Sequence, residues 1–278
     1  MTALIILAAG VGSRFGAPKQ LTPVGPHGET ILQYNAHDAV AAGFDRIVAV
    51  TRPELHEMVE SRLGEVCGPE VETRVVLQVV PEGRGKPLGS ADAVLAAAAH
   101  VEGDFGVANA DDIYGPSAFR ALAGAIDAGD ADATVVAYRL ADTVPPTGRV
   151  SRALLRVEAE AVTGLVETHG IGRRADGRLT VEPGGRLLDG GEWVSMNLWG
   201  LPAHMIDHMR SRVEAFRPRA GADAEIYLPD VVGDLTRSGN LKLRWVPSGE
   251  RWTGITNPDD LEAVRTFLEA TRPQPLWS

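Results

Sequence analysis

The first half of the chain alternates unbroken apolar runs with segments whose apolar residues recur at helical spacing. Leu4, Ile5, Ile6 and Leu7 make one such run and predict a buried strand over residues 3–8. Ile31, Tyr34, Ala39 and Ala42 then recur at the spacing of a helix predicted over 30–42. The same reading gives strands over 46–51, 74–80, 105–110 and 133–138, with helices over 53–63, 90–100 and 116–126. Strand–helix alternation at this pitch predicts an α/β fold, with a mostly parallel sheet covered by helices on both faces. Ligands of such sheets lie beyond the carboxyl ends of the strands.

After residue 140 the pattern changes. Several glycines separate short apolar segments at 149–150, 154–157, 165–166 and 179–181, which read as an inserted antiparallel subregion laid over the sheet. Helices are predicted over 225–236 and 259–270, the second behind Asn257-Pro258, a cap residue followed by a first-turn proline. A Pro-rich tail follows Arg272. There is no internal repeat and no linker, so a single domain over 1–278 is expected.

Composition narrows the function. The chain has 278 residues, 44% hydrophobic and 23% charged, as in ordinary globular proteins. A net charge of −10 without a basic run argues against a nucleic-acid partner. An acidic protein that handles phosphates has to gather its cations locally or recruit a metal. The single cysteine, Cys67, excludes internal disulfides and fits a reducing compartment. No apolar run has the length of a membrane span, and none follows a basic start as in a signal peptide. A cytoplasmic protein without a membrane partner is expected.

Residues 7–21, LAAGVGSRFGAPKQL, hold the clearest chemistry. Gly10, Gly12 and Gly16 follow a strand, where glycines let the backbone approach a ligand and successive N–H groups cradle phosphate. Arg14 and Lys19 add a fork and a mobile point charge to the same loop. The spacing lacks the third glycine of the dinucleotide fingerprint, and no G-K-[ST] follows as a P-loop requires. It resembles the LAAGxGxRxxxxxPKxL pattern of the nucleotidyltransferases that make nucleotide sugars. Leu7, Ala8, Ala9, Gly10, Gly12, Arg14, Pro18, Lys19 and Leu21 occupy its fixed positions.

That resemblance implies a Rossmann-like nucleotidyltransferase fold of the glycosyltransferase-A type. It also implies transfer of a nucleotide from an NTP to a phosphorylated acceptor such as a sugar 1-phosphate, with release of pyrophosphate. Residues 1–140 would bind NTP and Mg²⁺, and residues 141–270 the acceptor. Lys19 and Arg14 would neutralise the triphosphate, while Leu7, Ala8, Ala9, Gly10 and Gly12 would cradle the nucleotide.

Further segments extend the match. Residues 105–115, FGVANADDIYG, end an apolar strand in two carboxylates and resemble the GDN-I-Y-Y-G strand end of glucose-1-phosphate thymidylyltransferases. On that match Asp111 is the metal ligand; by itself the Asp pair also reads as a solvated acidic turn. Leu88-Gly89-Ser90-Ala91 resembles an LGTA element that lines the base pocket, which assigns Gln78, Gly89 and Ser90 to the nucleotide. Arg84 and Lys86 read equally as phosphate contacts or solvated charges. Gly148 in GRV, Glu167 in GLVE, Asn197 in SMNLWG and Tyr227 in EIYLPD fall in segments resembling the sugar-binding elements of the uridylyl- and thymidylyltransferases. Carboxylate and amide groups suit vicinal hydroxyls.

Two departures stand out. Thr168 occupies the place of a lysine that holds the sugar phosphate, and Gly254 that of an aspartate serving as second metal ligand. Asn197, Asp223 and Glu225 are alternatives for the missing ligand. These losses keep open a non-sugar acceptor, such as phosphocholine or a molybdenum-cofactor precursor. A binding homologue without turnover is the remaining reading, against which Arg14, Lys19 and Asp111 all speak.

Overall fold

The computed structural model describes residues 2–10, 18–129, 133–255 and 258–277. In chain order the elements are β1 (Ala3–Leu7), α1 (Ile31–Ala41), β2 (Arg46–Thr51), α2 (His56–Gly64), β3 (Glu72–Leu77), α3 (Ser90–Ala96), β4 (Phe105–Asn109), β5 (Asp112–Ile113), α4 (Pro116–Asp127) and β6 (Ala133–Arg139). The remainder comprises β7 (Arg149–Glu158), β8 (Ala161–Arg173), β9 (Leu179–Val181), β10 (Arg186–Leu188), β11 (Trp193–Leu201), α5 (Met205–Phe216), α6 (Leu228–Arg237), β12 (Leu243–Pro247), β13 (Thr253–Gly254) and α7 (Asp260–Thr271).

Among the described residues, eleven strands form one mixed sheet in the order β10-β9-β8-β12-β6-β11-β4-β1-β2-β3, with β7 pairing both β11 and β8. The strands β3, β2, β1 and β4 are parallel, as the strand–helix alternation predicted. β11 then joins antiparallel between β4 and β6, and β12 lies parallel to β6. The antiparallel insertion continues this sheet instead of lying over it. The short apolar segments at 149–150, 154–157 and 165–166 are parts of one long hairpin, β7–β8, and that at 179–181 is β9.

Side-chain alternation explains the unbroken apolar runs. Leu4 and Ile6 point into one core layer with Leu32 of α1 and Phe119 of α4, while Ala3 and Ile5 enter the other with Val94 of α3 and Met209 of α5. A strand buried on both faces has no polar side to show in its sequence. A smaller cluster packs Val264 and Leu268 of α7 against Ile31, Tyr34, Ile113 and Ile255.

Helix starts follow local chemistry. Thr30 opens α1 with a reciprocal cap: its hydroxyl accepts from Gln33 N (3.3 Å), and Gln33 Oε1 accepts from Thr30 N (3.0 Å). Such a cap contributes about 1 kcal/mol. The predicted helix over 225–236 begins later, at Leu228, because the Ile226 backbone is engaged elsewhere. Its N–H donates to Leu88 O (2.7 Å) and its carbonyl accepts from Ala91 N (3.2 Å). The helix predicted over 53–63 opens as a tighter turn at Pro53–Leu55, and the one over 90–100 ends as α3 followed by a separate turn. Asn257, the expected cap of α7, lies outside the described residues. Among the described residues no helix is long and apolar enough to cross a membrane.

Candidate active site

The carboxyl ends of β1 and β4 are neighbours, Leu7 pairing with Asn109. The loop after each begins with a bond to the adjacent strand: Ala8 N donates to Val50 O (2.8 Å) and Ala110 N to Leu7 O (3.1 Å). Gly10 is exposed and a Cβ there would meet nothing within 4 Å, so the backbone is open to a ligand. Gly12 and Arg14 lie outside the described residues. The loop returns at Pro18, and buried Gln20 fixes the return by donating from Nε2 to Ala8 O (2.8 Å).

Lys19 is thereby aimed at the neighbouring strand end. Its Nζ donates to Ile255 O (3.0 Å) and forms an ion pair with Asp111 Oδ2. Ile255 N in turn donates to Asp111 O (3.0 Å). Both charged side chains keep partial exposure, 19% for Lys19 and 28% for Asp111, so both are reachable by a ligand in the crevice.

Asp112 faces the other way. It is buried, and its Oδ2 accepts from Asn109 Nδ2 (2.9 Å), with the Tyr114 hydroxyl 3.3 Å away. Burial pushes its pKa up to about 7, with the charge of Asp111 adding to the effect. The turn bearing both carboxylates is fastened from below. Asn35 Nδ2 of α1 donates to Asn109 O (3.0 Å) and Asp112 O (2.8 Å), and the Tyr138 hydroxyl donates to Tyr114 O (2.9 Å). Burial also raises the Tyr114 and Tyr138 hydroxyls well above the ordinary tyrosine range, so both stay neutral donors.

Gly254 has a physical reason. β13 pairs with β5, placing Gly254 opposite Asp112. A Cβ at 254 would stand 2.7 Å from Asp112 Oδ1 and 2.7 Å from the Trp252 ring. The space that a side chain at 254 would need is taken by the Asp112 carboxylate. Thr168 is similar: it pairs across the β7–β8 hairpin with Arg152, so a cation stands beside it on the neighbouring strand.

The 88–91 segment is built against α6. Gly89 has φ +110°, and a Cβ there would come 2.5 Å from Ile226 O, so only glycine fits. Gln78 Nε2 donates to Gly89 O (3.0 Å) and Asp92 Oδ2 (2.9 Å). Ser90 Oγ accepts from Leu228 N (2.9 Å), capping α6. Gln78 and Ser90 thus already hold the segment's shape. Arg84 donates to Gly221 O and Ala224 O, and Lys86 pairs with Glu225 (2.7 Å), so both are latches between two loops. Glu225 and Tyr227 share a hydrogen bond that, after burial, raises the Tyr227 hydroxyl to about 12.

Asn197 marks an irregularity in β11. It has φ +61°, at the point where the register with β6 shifts between Ser195 and Trp199. Asparagine tolerates this left-handed conformation better than most residues. The preceding carbonyl, Met196 O, lies 2.9 Å from the Tyr114 hydroxyl, which links the irregularity to the Asp112 turn. Glu167 is exposed on β8, its pKa raised by burial against the opposing influence of His169 and Arg152, while Asp230 of α6 adds to the rise. Gly148 stands apart, lining a cavity toward α7.

Asn35, Tyr114, Gln20 and Arg152 escaped the sequence reading. Asn35 had a faint signal, a polar residue on an otherwise buried helix.

The donor set suits a divalent cation shared with a ligand. Among the described residues no group of three His, Cys, Asp or Glu side chains is placed to hold a metal alone. Asp111 offers a reachable carboxylate, and Mg²⁺ ordinarily combines one or two carboxylates with phosphate oxygens and water. A glycine-bearing strand end beside a lysine paired with a carboxylate suits a ligand carrying phosphates. The chain belongs to the MobA-like NTP transferase domain family, whose model matches residues 4–178. It is a nucleotidyltransferase.

Two solved structures share its fold over nearly the whole chain. The inositol-1-phosphate CTP transferase from T. maritima is 17% identical with a TM-score of 0.66, covering 98% of this chain and 97% of its own. A protein assigned as a glucose-1-phosphate thymidylyltransferase from Bacillus anthracis, solved with sucrose, is 14% identical with a TM-score of 0.72, covering 99% and 98%. No curated protein sequence matches the chain.

Proposed function

We propose that the protein transfers a nucleoside monophosphate from an NTP to the phosphate of a small hydroxyl-rich acceptor, a sugar or polyol 1-phosphate. An acceptor phosphate oxygen attacks the α-phosphorus in line; the bond to the bridging oxygen breaks and pyrophosphate leaves. The reading is carried by the Lys19–Asp111 pair, fixed to Ile255 O at the end of the glycine loop. Ligand entry would exchange this internal pair for phosphate on Lys19 and a metal on Asp111. Charge develops on the departing pyrophosphate, and a preplaced lysine stabilises it without reorganisation. A Mg²⁺ ion held by Asp111 would supply further neutralisation of the triphosphate.

The remaining roles rest on the resemblance of the sequence segments. Leu7, Ala8, Ala9 and Gly10, with Gly12 and Arg14, would cradle the nucleotide. The segment fixed by Gln78, Gly89 and Ser90 would take the base. Glu167, Asn197 and Tyr227 would meet acceptor hydroxyls, dividing the domain into an NTP half over 1–140 and an acceptor half over 141–270. The two structural neighbours act, by name, on inositol 1-phosphate and glucose 1-phosphate, which favours a polyol or sugar over phosphocholine.

The test is pyrophosphate release across a panel of NTPs with sugar phosphates, polyol phosphates and phosphocholine, in the presence of Mg²⁺. A sugar or polyol phosphate should give the fastest release, and Lys19→Ala should lose more than tenfold, at least about 1.4 kcal/mol of barrier. Release with phosphocholine alone would overturn the acceptor class. An active Lys19→Ala would overturn the role of the lysine.

A further inference from the structure

A second cavity, of about 1050 Å³, lies between α7, the segment before β7 and the Trp252–Gly254 strand. It is large enough for a small organic ligand. Trp252, Phe267, Val144 and Ile113 supply apolar wall, and Arg152 lines it from β7.

Arg152 is 9% exposed, yet among the described residues it makes no ion pair. Its bonds go to neutral acceptors: Nε to Thr143 Oγ1 (3.2 Å), Nη1 to Ser151 O (2.8 Å) and Nη2 to Thr143 O (2.6 Å). A guanidinium has five N–H groups, so two remain without a bond among the described residues. Its ring neighbour is Trp252, with the guanidinium carbon 5.0 Å from the ring centroid. Among the described residues Trp252 Nε1 is buried without a hydrogen-bond partner. The charge of Arg152 is offset by the more distant carboxylates of Asp112, Glu167 and Asp260, yet its guanidinium still has N–H groups to offer a ligand.

Strand geometry turns Arg152 away from Glu167, although Gly148 and Gly254 also line this cavity. Arg152 pairs with Thr168 and Ala153 with Glu167, so Arg152 and Glu167 point to opposite faces of the hairpin. The cavity also carries acids, with Asp142 and Glu262 exposed, Asp260 acting on the Arg152 charge, and Glu250 occupied in accepting from Ser117 N (3.0 Å). Those carboxylates disfavour a polyanion such as a triphosphate.

We propose that this cavity is a second ligand site, taking a small molecule with an apolar or aromatic body and a single carboxylate or phosphate group. The body lies against Trp252 and Phe267, and the anionic group accepts from Arg152.

The five tryptophans allow a site-resolved test. Protein labelled with 5-fluorotryptophan is titrated with phenyl phosphate and with benzoate, the Trp252 resonance being assigned through Trp252→Phe. That resonance should shift saturably at millimolar concentration, with benzyl alcohol binding at least tenfold more weakly. Arg152→Gln should weaken the anions at least tenfold and leave benzyl alcohol unchanged. Ala263→Phe, which plugs the cavity from an exposed position on α7, should abolish the shift even if the arginine variant fails to fold. The proposal is overturned by an unmoved Trp252, by equal binding of benzyl alcohol, or by a shift that survives Ala263→Phe. Displacement of the probe by an NTP or by glucose 1-phosphate would overturn it too, by making the cavity part of the reaction crevice.

Discussion

Asp112→Asn should stabilise the protein at neutral and higher pH, and the gain should depend on pH in a defined way. Asp112 is buried, and its pKa rises from 3.8 to about 7 on folding. A carboxyl with a raised folded pKa holds its proton in the folded state while the unfolded chain releases it. Wild-type stability is therefore unaffected by this group below about pH 4, falls through the window up to pH 7, and then stays at the lower level. Each pH unit within that window corresponds to about 1.4 kcal/mol. From pH 5 to pH 8 two units of it remain, so the advantage of the variant over wild type should grow by about 3 kcal/mol. The amide oxygen can still accept from Asn109 Nδ2, which donates to Asp112 Oδ2 at 2.9 Å in the native protein. Urea denaturation of both proteins at pH 5, 6, 7 and 8, without nucleotide or metal, gives the difference directly and cancels the titrating groups that do not sense Asp112. A difference that stays flat, or that shrinks as pH rises, would refute the burial argument.

Two further variants probe the neighbourhood. Gly254→Ala should destabilise by about 1–3 kcal/mol, because its Cβ would overlap Asp112 Oδ1 and the Trp252 ring at 2.7 Å; an unchanged denaturation midpoint would show that β13 yields freely. Asn197→Ala and Glu167→Gln should each weaken acceptor binding by about 0.5–1.5 kcal/mol while leaving NTP affinity intact, as measured by calorimetry; a loss on the NTP side would remove both from the acceptor half.

Much of the fold was legible because its parallel strands announce themselves. β2 is an uninterrupted apolar-rich run, RIVAVT, buried along its whole length, and its boundaries match the expectation to the residue. The long hairpin β7–β8 was not legible, because its burial is broken along both strands. Charged and hydroxyl residues such as Arg152 and Thr168 occupy inward positions there, so apolar content understates strand length. Helix α5 buries Met205, Met209 and Val213 at every fourth position, but the polar residues between them diluted that pattern. In the second half, then, burial follows pairing partners more than composition.

The same dependence on pairing decides what a glycine means. Gly254 reads in the sequence as the loss of an aspartate from the expected pattern, a defect in a metal site. In the fold it stands opposite Asp112, and the two positions compete for one volume. A side chain at 254 and an inward carboxylate at 112 exclude each other, so the glycine is the steric condition for the second carboxylate of the Asp pair. Gly89 poses the same question with a different answer: there the neighbour is the backbone of Ile226, and the glycine lets α6 dock on the 88–91 segment. Neither partner is near in sequence, since 142 residues separate 112 from 254 and 137 separate 89 from 226. The loop chemistry of residues 7–21 could be read locally because its residues share one turn. The chemistry around Asp112 becomes readable only when β5 and β13 are laid side by side, and it is this pairing that makes Asp111 the outward carboxylate and Asp112 the inward one.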